Sequence, residues 1–212
     1  MRILVLAVSL FPLVAMAEPS SHFDDGTQGW SVVDLDPDFN GVGTPYAAVL
    51  REGYIEFTDP SSRSFFFEAP SYFLGDLSAY FGGSLRYSQK VSPTTPEWRE
   101  DPDVVIVGGG LTLVFQNANS PGGDWTDYSI GLANQGWRIG SLGGAEATSL
   151  QFQAALGSVE RLRIRGEYIN GVFETTSLDN VSISAVPEPG RWALMLSGIA
   201  LLAGVARGRV RA

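Results

Sequence analysis

The sequence predicts an all-β fold: a β-sandwich or jelly roll with one short helix, between an N-terminal signal peptide and a C-terminal transmembrane helix. Three observations carry that reading. Short runs of alternating apolar and polar residues recur along the middle of the chain. The 212 residues include 25 glycines and 12 prolines, are 11% aromatic and hold few strong helix formers, a composition of many short strands and turns. Apolar stretches without charge that fit a signal peptide and a membrane helix stand at the two ends.

At the front, "MRILVLAVSLFPLVAMAEPSS" has Arg2 as a minimal positive region, an apolar run from Ile3 to Val14, and Ala15-Met16-Ala17 as a small-residue cleavage site. That is the layout of a secretory signal peptide, residues 1–17, with the mature chain starting at Glu18. In the body, "GYIEFTD" sets Tyr54, Glu56 and Thr58 on one side and Ile55 and Phe57 on the other. "SLRYSQKV" alternates Leu85, Tyr87, Gln89 and Val91 against Arg86, Ser88 and Lys90. "DVVIVGGGLTLVFQ" reads as two apolar strands joined through Gly108-Gly109-Gly110. "TSLQFQAAL" is the one helix: Thr148 is its N-cap, Gln151 completes a capping box, Leu150, Ala154 and Leu156 give a partial apolar face, and Gly157 stops it. "ERLRIRGEY" turns Leu162 and Ile164 inward and Arg161, Arg163 and Arg165 outward, and "LDNVSISA" sets Val181 and Ile183 against Ser182 and Ser184. The proline- and charge-rich "PTTPEWREDPD" reads as an exposed loop.

Residues 18–185 form one domain of about 168 residues, enough to bury a sizeable core. There is no cysteine, so no disulfide, thiol chemistry or cysteine-based zinc site is on offer. Nine of the 14 basic and 22 of the 23 acidic residues fall in this body, for a net charge near −13. That speaks against nucleic acid as a partner and is compatible with calcium or neutral polysaccharide.

The tail reads Val186-Pro187-Glu188-Pro189, then Arg191, then an uncharged stretch at 192–206, then Arg207, Arg209 and Arg211. The stretch is short for a full span of about 20 residues unless its arginines snorkel, and Trp192 sits where an interfacial anchor would. This order over residues 186–212 resembles the PEP-CTERM sorting signal of exopolysaccharide-producing bacteria. The resemblance implies a membrane-held precursor, recognised by an exosortase-type membrane protease, and a mature form at the cell surface or in the extracellular matrix. The two prolines hold the segment extended and outside the following helix.

The body carries a second resemblance. "FDDGTQGW" opens it, "SYFLGDLSAYFGGSLRYS" follows, then "GGGLTLVF", "WTDYSIGL" and "GWRIG", and "LGSVERLRIRGEY" with "SLDNVSI" closes it. In this order the stretches resemble the laminin B domain, also called laminin type IV. That implies a galactose-binding-like jelly roll in an extracellular matrix or surface role, in a family not known for catalysis. Related jelly-roll glycan-binding modules often hold a structural calcium between acids of the first and last strands, here Asp24 or Asp25 and Asp179.

Chemistry-bearing residues are few. His22 is the one histidine, so a Ser-His-Asp site would need it, although a histidine in a polar terminal segment is more often plain surface. The glycine triplet lacks the Lys-Ser or Lys-Thr of a phosphate loop. No carboxylate pair for glycoside hydrolysis stands out. Asp34, Asp36, Asp38 and Asn40 alternate like a calcium loop, but Phe39 and Pro45 break the EF-hand pattern, which leaves a solvated acidic turn. For glycan binding the candidates are Trp98, Trp125, Tyr128 and Trp137 with Arg138, set against core packing for Trp30, Trp125 and Trp137. The row Arg161, Arg163 and Arg165 would meet acidic polysaccharide or lie as a solvated face. The expectation is an exported, non-enzymatic matrix protein with a structural or adhesive role. The alternatives are a carbohydrate-binding module and a polysaccharide-cleaving enzyme.

Overall fold

The computed structural model describes residues 18–35, 39–59, 61, 63–94 and 100–186. Both terminal stretches, Trp98, Asp36 and Asp38 lie outside these residues. In chain order the strands are β1 (Ser20–Ser21), β2 (Ser31–Leu35), β3 (Thr44–Ala47), β4 (Val49–Arg51), β5 (Tyr54–Thr58), β6 (Ser64–Glu68), β7 (Ser84–Ser92), β8 (Val104–Gly108), β9 (Leu111–Phe115), β10 (Thr126–Gly131) and β11 (Arg138–Ile139). Helix α1 (Ser149–Leu156) then precedes β12 (Val159–Arg165) and β13 (Thr175–Ser184). All strand pairs are antiparallel, in two sheets ordered β10-β7-β13-β5-β4, with β1 beside β13, and β11-β9-β8-β12-β6-β2-β3. Among the described residues no helix is long and apolar enough to cross a membrane.

Period-two alternation decides which side of each strand enters the space between the sheets. Ile55 and Phe57 of β5, Leu85 and Tyr87 of β7, and Leu178, Val181 and Ile183 of β13 face Phe65, Phe67, Ile106, Leu113, Leu162 and Ile164 of the second sheet. This is the expected sandwich, with the inner faces interdigitating. The glycine triplet makes the expected hairpin: Gly108 pairs with Leu111, and Gly109 and Gly110 take φ of +58° and +72°. It has a second use. A Cβ on Gly108 would lie 2.4 Å from the carbonyl oxygen of Ala155, and one on Gly109 2.6 Å from that of Ala154, so the bare backbone seats α1.

The capping box of α1 is present: Gln151 N–H donates to Thr148 Oγ1, and Thr148 N–H donates to Gln151 Oε1. Its apolar face differs from the reading above. Phe152, Ala155 and Leu156 are buried, whereas Leu150 is 80% exposed and Ala154 is exposed. The ring of Phe152 settles the helix rotation by packing 5.3 Å from Trp137 and 6.4 Å from Phe81, and Leu150 falls on the opposite side.

The arginine row corrects the sequence reading. Arg161, Arg163 and Arg165 do alternate against Leu162 and Ile164, but Arg163 and Arg165 are 0% and 1% exposed. The outer face of their sheet is covered. Phe39 packs there on Phe66 with centroids 5.8 Å apart, over Val33, Leu35, Val105, Val107 and Val114. Arg163 fastens this cover by donating to the carbonyl oxygens of Phe39 (2.7 Å) and Gly41 (2.8 Å) while bonding Glu68 at 2.7 Å. Arg161 reaches the carbonyl oxygen of Asn40. The "DLDPDFNG" stretch is therefore no freely solvated turn in its described parts. Phe39 is cover, and Asp34 is 3% exposed, accepting from Ser61 Oγ at 2.8 Å.

Candidate functional site

Among the described residues, no such cover lies over the middle of the outer face of the β10-β7-β13-β5-β4 sheet. Alternation sends Tyr54 and Glu56 of β5, Lys90 and Ser92 of β7, and Thr175 and Ser177 of β13 to this side. Register then brings them together: Ser177 lies opposite Lys90 on one side and Glu56 on the other, and Thr175 lies opposite Ser92 and Thr58. Trp125 joins them from just before β10, where Thr126 pairs with Gln89. The preceding Pro121-Gly122-Gly123 turn is tied to β7 through the Val91 N–H, which donates to the Gly122 carbonyl at 2.8 Å.

The result is a cleft of about 240 Å³ lined by Tyr54, Glu56, Lys90, Val91, Ser92, Gly123, Thr175 and Ser177. Lys90 Nζ stands 4.5 Å from the ring centroid of Tyr54 and 4.7 Å from that of Trp125. The two rings meet edge to face at 5.4 Å. One ammonium over two ring faces fixes both rings against the sheet. Glu56 is held at 2.6 Å by Arg51, and Trp125 stays 41% exposed. The floor offers hydroxyls, the wall a flat aromatic, and the rim one cation and one anion.

Of the four glycan-binding candidates, the structure places Trp125 at the edge of this cleft, against the lining residues Tyr54 and Lys90. Tyr128 lies on the other face of β10, 5.0 Å from Tyr87, with its hydroxyl donating to the Asn119 carbonyl, and burial holds its pKa far above the ordinary tyrosine range. Trp137 is wholly buried against Phe115 and Phe152, its Nε1–H donating to the Gly131 carbonyl, and Trp30 is likewise core. Both follow the core alternative rather than the binding one. Arg138 stays exposed and donates to the Gly144 carbonyl. Sequence reading missed Tyr54 and Lys90. Alternation marked both as facing away from the core, but their meeting across β13 depends on lateral strand order.

Two of the three calcium candidates come near each other. Asp179 has its pKa raised, by burial first and by Asp24 among smaller causes. Its carboxylate already accepts from the backbone and side-chain N–H groups of Asn180 at 2.6 and 3.1 Å. Asp25 is exposed, and among the described residues no group of three or more His, Asp or Glu is placed to hold a metal ion. His22 Nδ1 lies 3.1 Å from Asn180 Oδ1.

A buried polar network lies at the end of the sandwich where β12 finishes. Arg165 Nη2 is 3.0 Å from Asp103 Oδ1, and its guanidinium stacks 4.1 Å over the Tyr168 ring. Tyr168 donates to Gln89, and Gln89 donates to the Arg165 carbonyl, both at 2.7 Å. Asp103 also accepts from the Asn117 N–H at 2.6 Å, and Glu174 accepts from the Tyr168 N–H. Burial pushes the pKa of Glu174 up to about 7, with the neighbouring Asp59 adding to it.

Comparison with known proteins completes the description. A family model described as Laminin B (Domain IV) matches residues 66–193. The basement membrane-specific heparan sulfate proteoglycan core protein of Mus musculus is 27% identical over 178 residues, which are 81% of this chain and 5% of that protein. Laminin subunit alpha-1 of Mus musculus is 26% identical over 147 residues, 64% of this chain and 5% of that protein. The chain thus spans about 5% of the length of these two relatives. Among solved structures, the L4b domain of human laminin alpha-2 superposes with a TM-score of 0.62 at 18% identity, covering 80% of this chain and 99% of that one. At that identity the likeness speaks for the fold.

Proposed function

The chain belongs to the Laminin B (Domain IV) family, and on that premise we propose that it is an exported, non-catalytic module that attaches to matrix polysaccharide through the Trp125 cleft. One relative is named as a basement-membrane proteoglycan core protein, which supports an extracellular setting and a structural role. The observation that carries the proposal is the placement of Tyr54 beside the hydroxyls of Ser92, Thr175 and Ser177, with the exposed Trp125 ring 5.4 Å from Tyr54 at the edge of the cleft. Sugars present an apolar C–H face and a ring of hydroxyls, and a site for them needs a flat apolar surface with polar groups close by. In affinity gels cast with polysaccharide from the native host, the full chain should be retarded. Trp125→Ala and Tyr54→Ala should run freely with unchanged melting temperatures. Equal mobility of the wild type with and without polysaccharide would overturn the proposal.

The ends extend it. Residues 1–17 direct export, and the order Val186-Pro187-Glu188-Pro189, the apolar stretch 192–206 and Arg207, Arg209 and Arg211 hold the precursor for an exosortase-type protease. Intact mass from the native host should show a mature form that starts at Glu18 and ends near Pro187-Glu188-Pro189, outside the inner membrane. A form that keeps residues 192–212 in the inner membrane removes the sorting proposal and leaves the cleft reading standing.

A further inference from the structure

We infer that the ligand of the Trp125 cleft is a neutral glycan, engaged over one or two sugar units through a diol that bridges Lys90 and Glu56. This rests on the polysaccharide reading above and names the chemical class that the cleft selects. The first argument is charge. The lining holds one cation, Lys90, and one anion, Glu56, with Arg51 committed to Glu56 at 2.6 Å. Asp127 and Asp179 both lie opposite Ser88, the next outward residue of β7 from Lys90, so carboxylates share this sheet face beyond the cleft. A body with a net charge near −13 repels a polyanion before it arrives. The Lys90 ammonium is already engaged over two ring faces, so it is a positioned donor rather than a free counter-charge.

The second argument is the pattern of donors and acceptors. Lys90 only donates, Glu56 only accepts, and the hydroxyls of Ser92, Thr175 and Ser177 do both. Ser177 lies between Lys90 and Glu56 in register. Two neighbouring sugar hydroxyls match this row, one accepting from Lys90 and the other donating to Glu56. A uronate carboxylate or a sulfate only accepts and meets Glu56 as a like charge. The third argument is size. The cleft's volume of about 240 Å³ is below the ~300–1,000 Å³ that encloses drug-sized ligands. The edge-to-face ring pair presents one platform rather than two spaced ones.

The test uses the full chain on arrays of matched neutral and uronate- or sulfate-bearing oligosaccharides, at low and high salt. Neutral members should bind with affinity indifferent to salt. Glu56→Gln and Lys90→Met should each weaken binding about tenfold or more, and Trp125→Ala should abolish it. Binding confined to acidic members, and fading with salt, overturns this inference while leaving attachment to polysaccharide intact. Neutral binding that Glu56→Gln leaves unchanged removes the diol bridge. Binding to neither series removes the attachment reading as well.

Discussion

Arg165→Met should cost about 3–5 kcal/mol of folding stability, enough to bring a domain of ordinary stability close to unfolding. The reason is what it leaves behind. Arg165 is 1% and Asp103 3% exposed, and their ion pair at 3.0 Å sits beneath Tyr168. Burial already pushes the Asp103 pKa up, and Arg165 pulls it back down. Without the guanidinium the carboxylate keeps, among the described residues, the Asn117 N–H as its donor, and must either stay charged in a poor solvent or take up a proton. The contact of Nη2 with Oδ1 is close but not an aligned hydrogen bond, so charge and stacking are lost, together with the hydrogen bond that Nη1 donates to the Asp101 carbonyl. Arg165→Lys should recover only part of the loss, because an ammonium returns a positive charge beside Asp103 but has no planar fork to stack on the Tyr168 ring and reach the Asp101 carbonyl together. The double variant Arg165→Met with Asp103→Asn should recover much of the loss, since no unpaired buried charge remains. Urea unfolding of the three variants measures this. An Arg165→Met variant within about 0.5 kcal/mol of wild type would show that the pair contributes nothing net.

The contrast between this arginine and its sequence context shows where reading the sequence stops. The alternation of "ERLRIRGEY" said on which side of β12 the arginines stand, and that was right. It could not say that a segment more than 120 positions away would lie over that side, with the carbonyls of Phe39 and Gly41 receiving Arg163. Alternation reports a face, whereas burial depends on what else reaches the face. Features with local causes were legible in full: the hairpin at Gly109-Gly110, the capping box of Thr148 and Gln151, and the alternation of β5 and β7. The helix face was right at Leu156 and misjudged at Leu150 and Ala154, because one large ring, Phe152, sets the rotation. The candidate site was half legible. Trp125 could be picked as an aromatic beside a glycine turn, but Tyr54 and Lys90 meet it only because β13, the last strand in sequence, lies between β5 and β7. The buried acid Glu174 gave no local signal at all.

Glu174→Gln should make the protein more stable above neutral pH and should flatten the fall of stability between about pH 4.5 and 7. Glu174 is wholly buried. Its pKa is pushed up to about 7 from 4.5, by burial first and by Asp59, against the pull of the Tyr168 and Ile169 N–H groups and of Arg165. The folded state therefore holds the proton more tightly than the unfolded chain. Below pH 4.5 both states are protonated and the group is no burden. As pH rises from 4.5 towards 7, unfolding releases a proton and becomes easier, so stability falls, by up to about 3 kcal/mol once pH exceeds 7. A glutamine keeps an amide oxygen for the Tyr168 N–H and carries no charge to bury, so its advantage over glutamate should appear at pH 8 and vanish near pH 4.5. Asp103, also raised by burial, contributes a slope of the same sign, so the variant retains a smaller decline rather than none. Urea midpoints of wild type and variant at pH 4.5 and pH 8 separate the two contributions. A variant whose pH slope equals that of the wild type would show that Glu174 carries no proton of its own in the fold, and the decline would then belong to the other carboxyls raised by burial, Asp103 and Asp179.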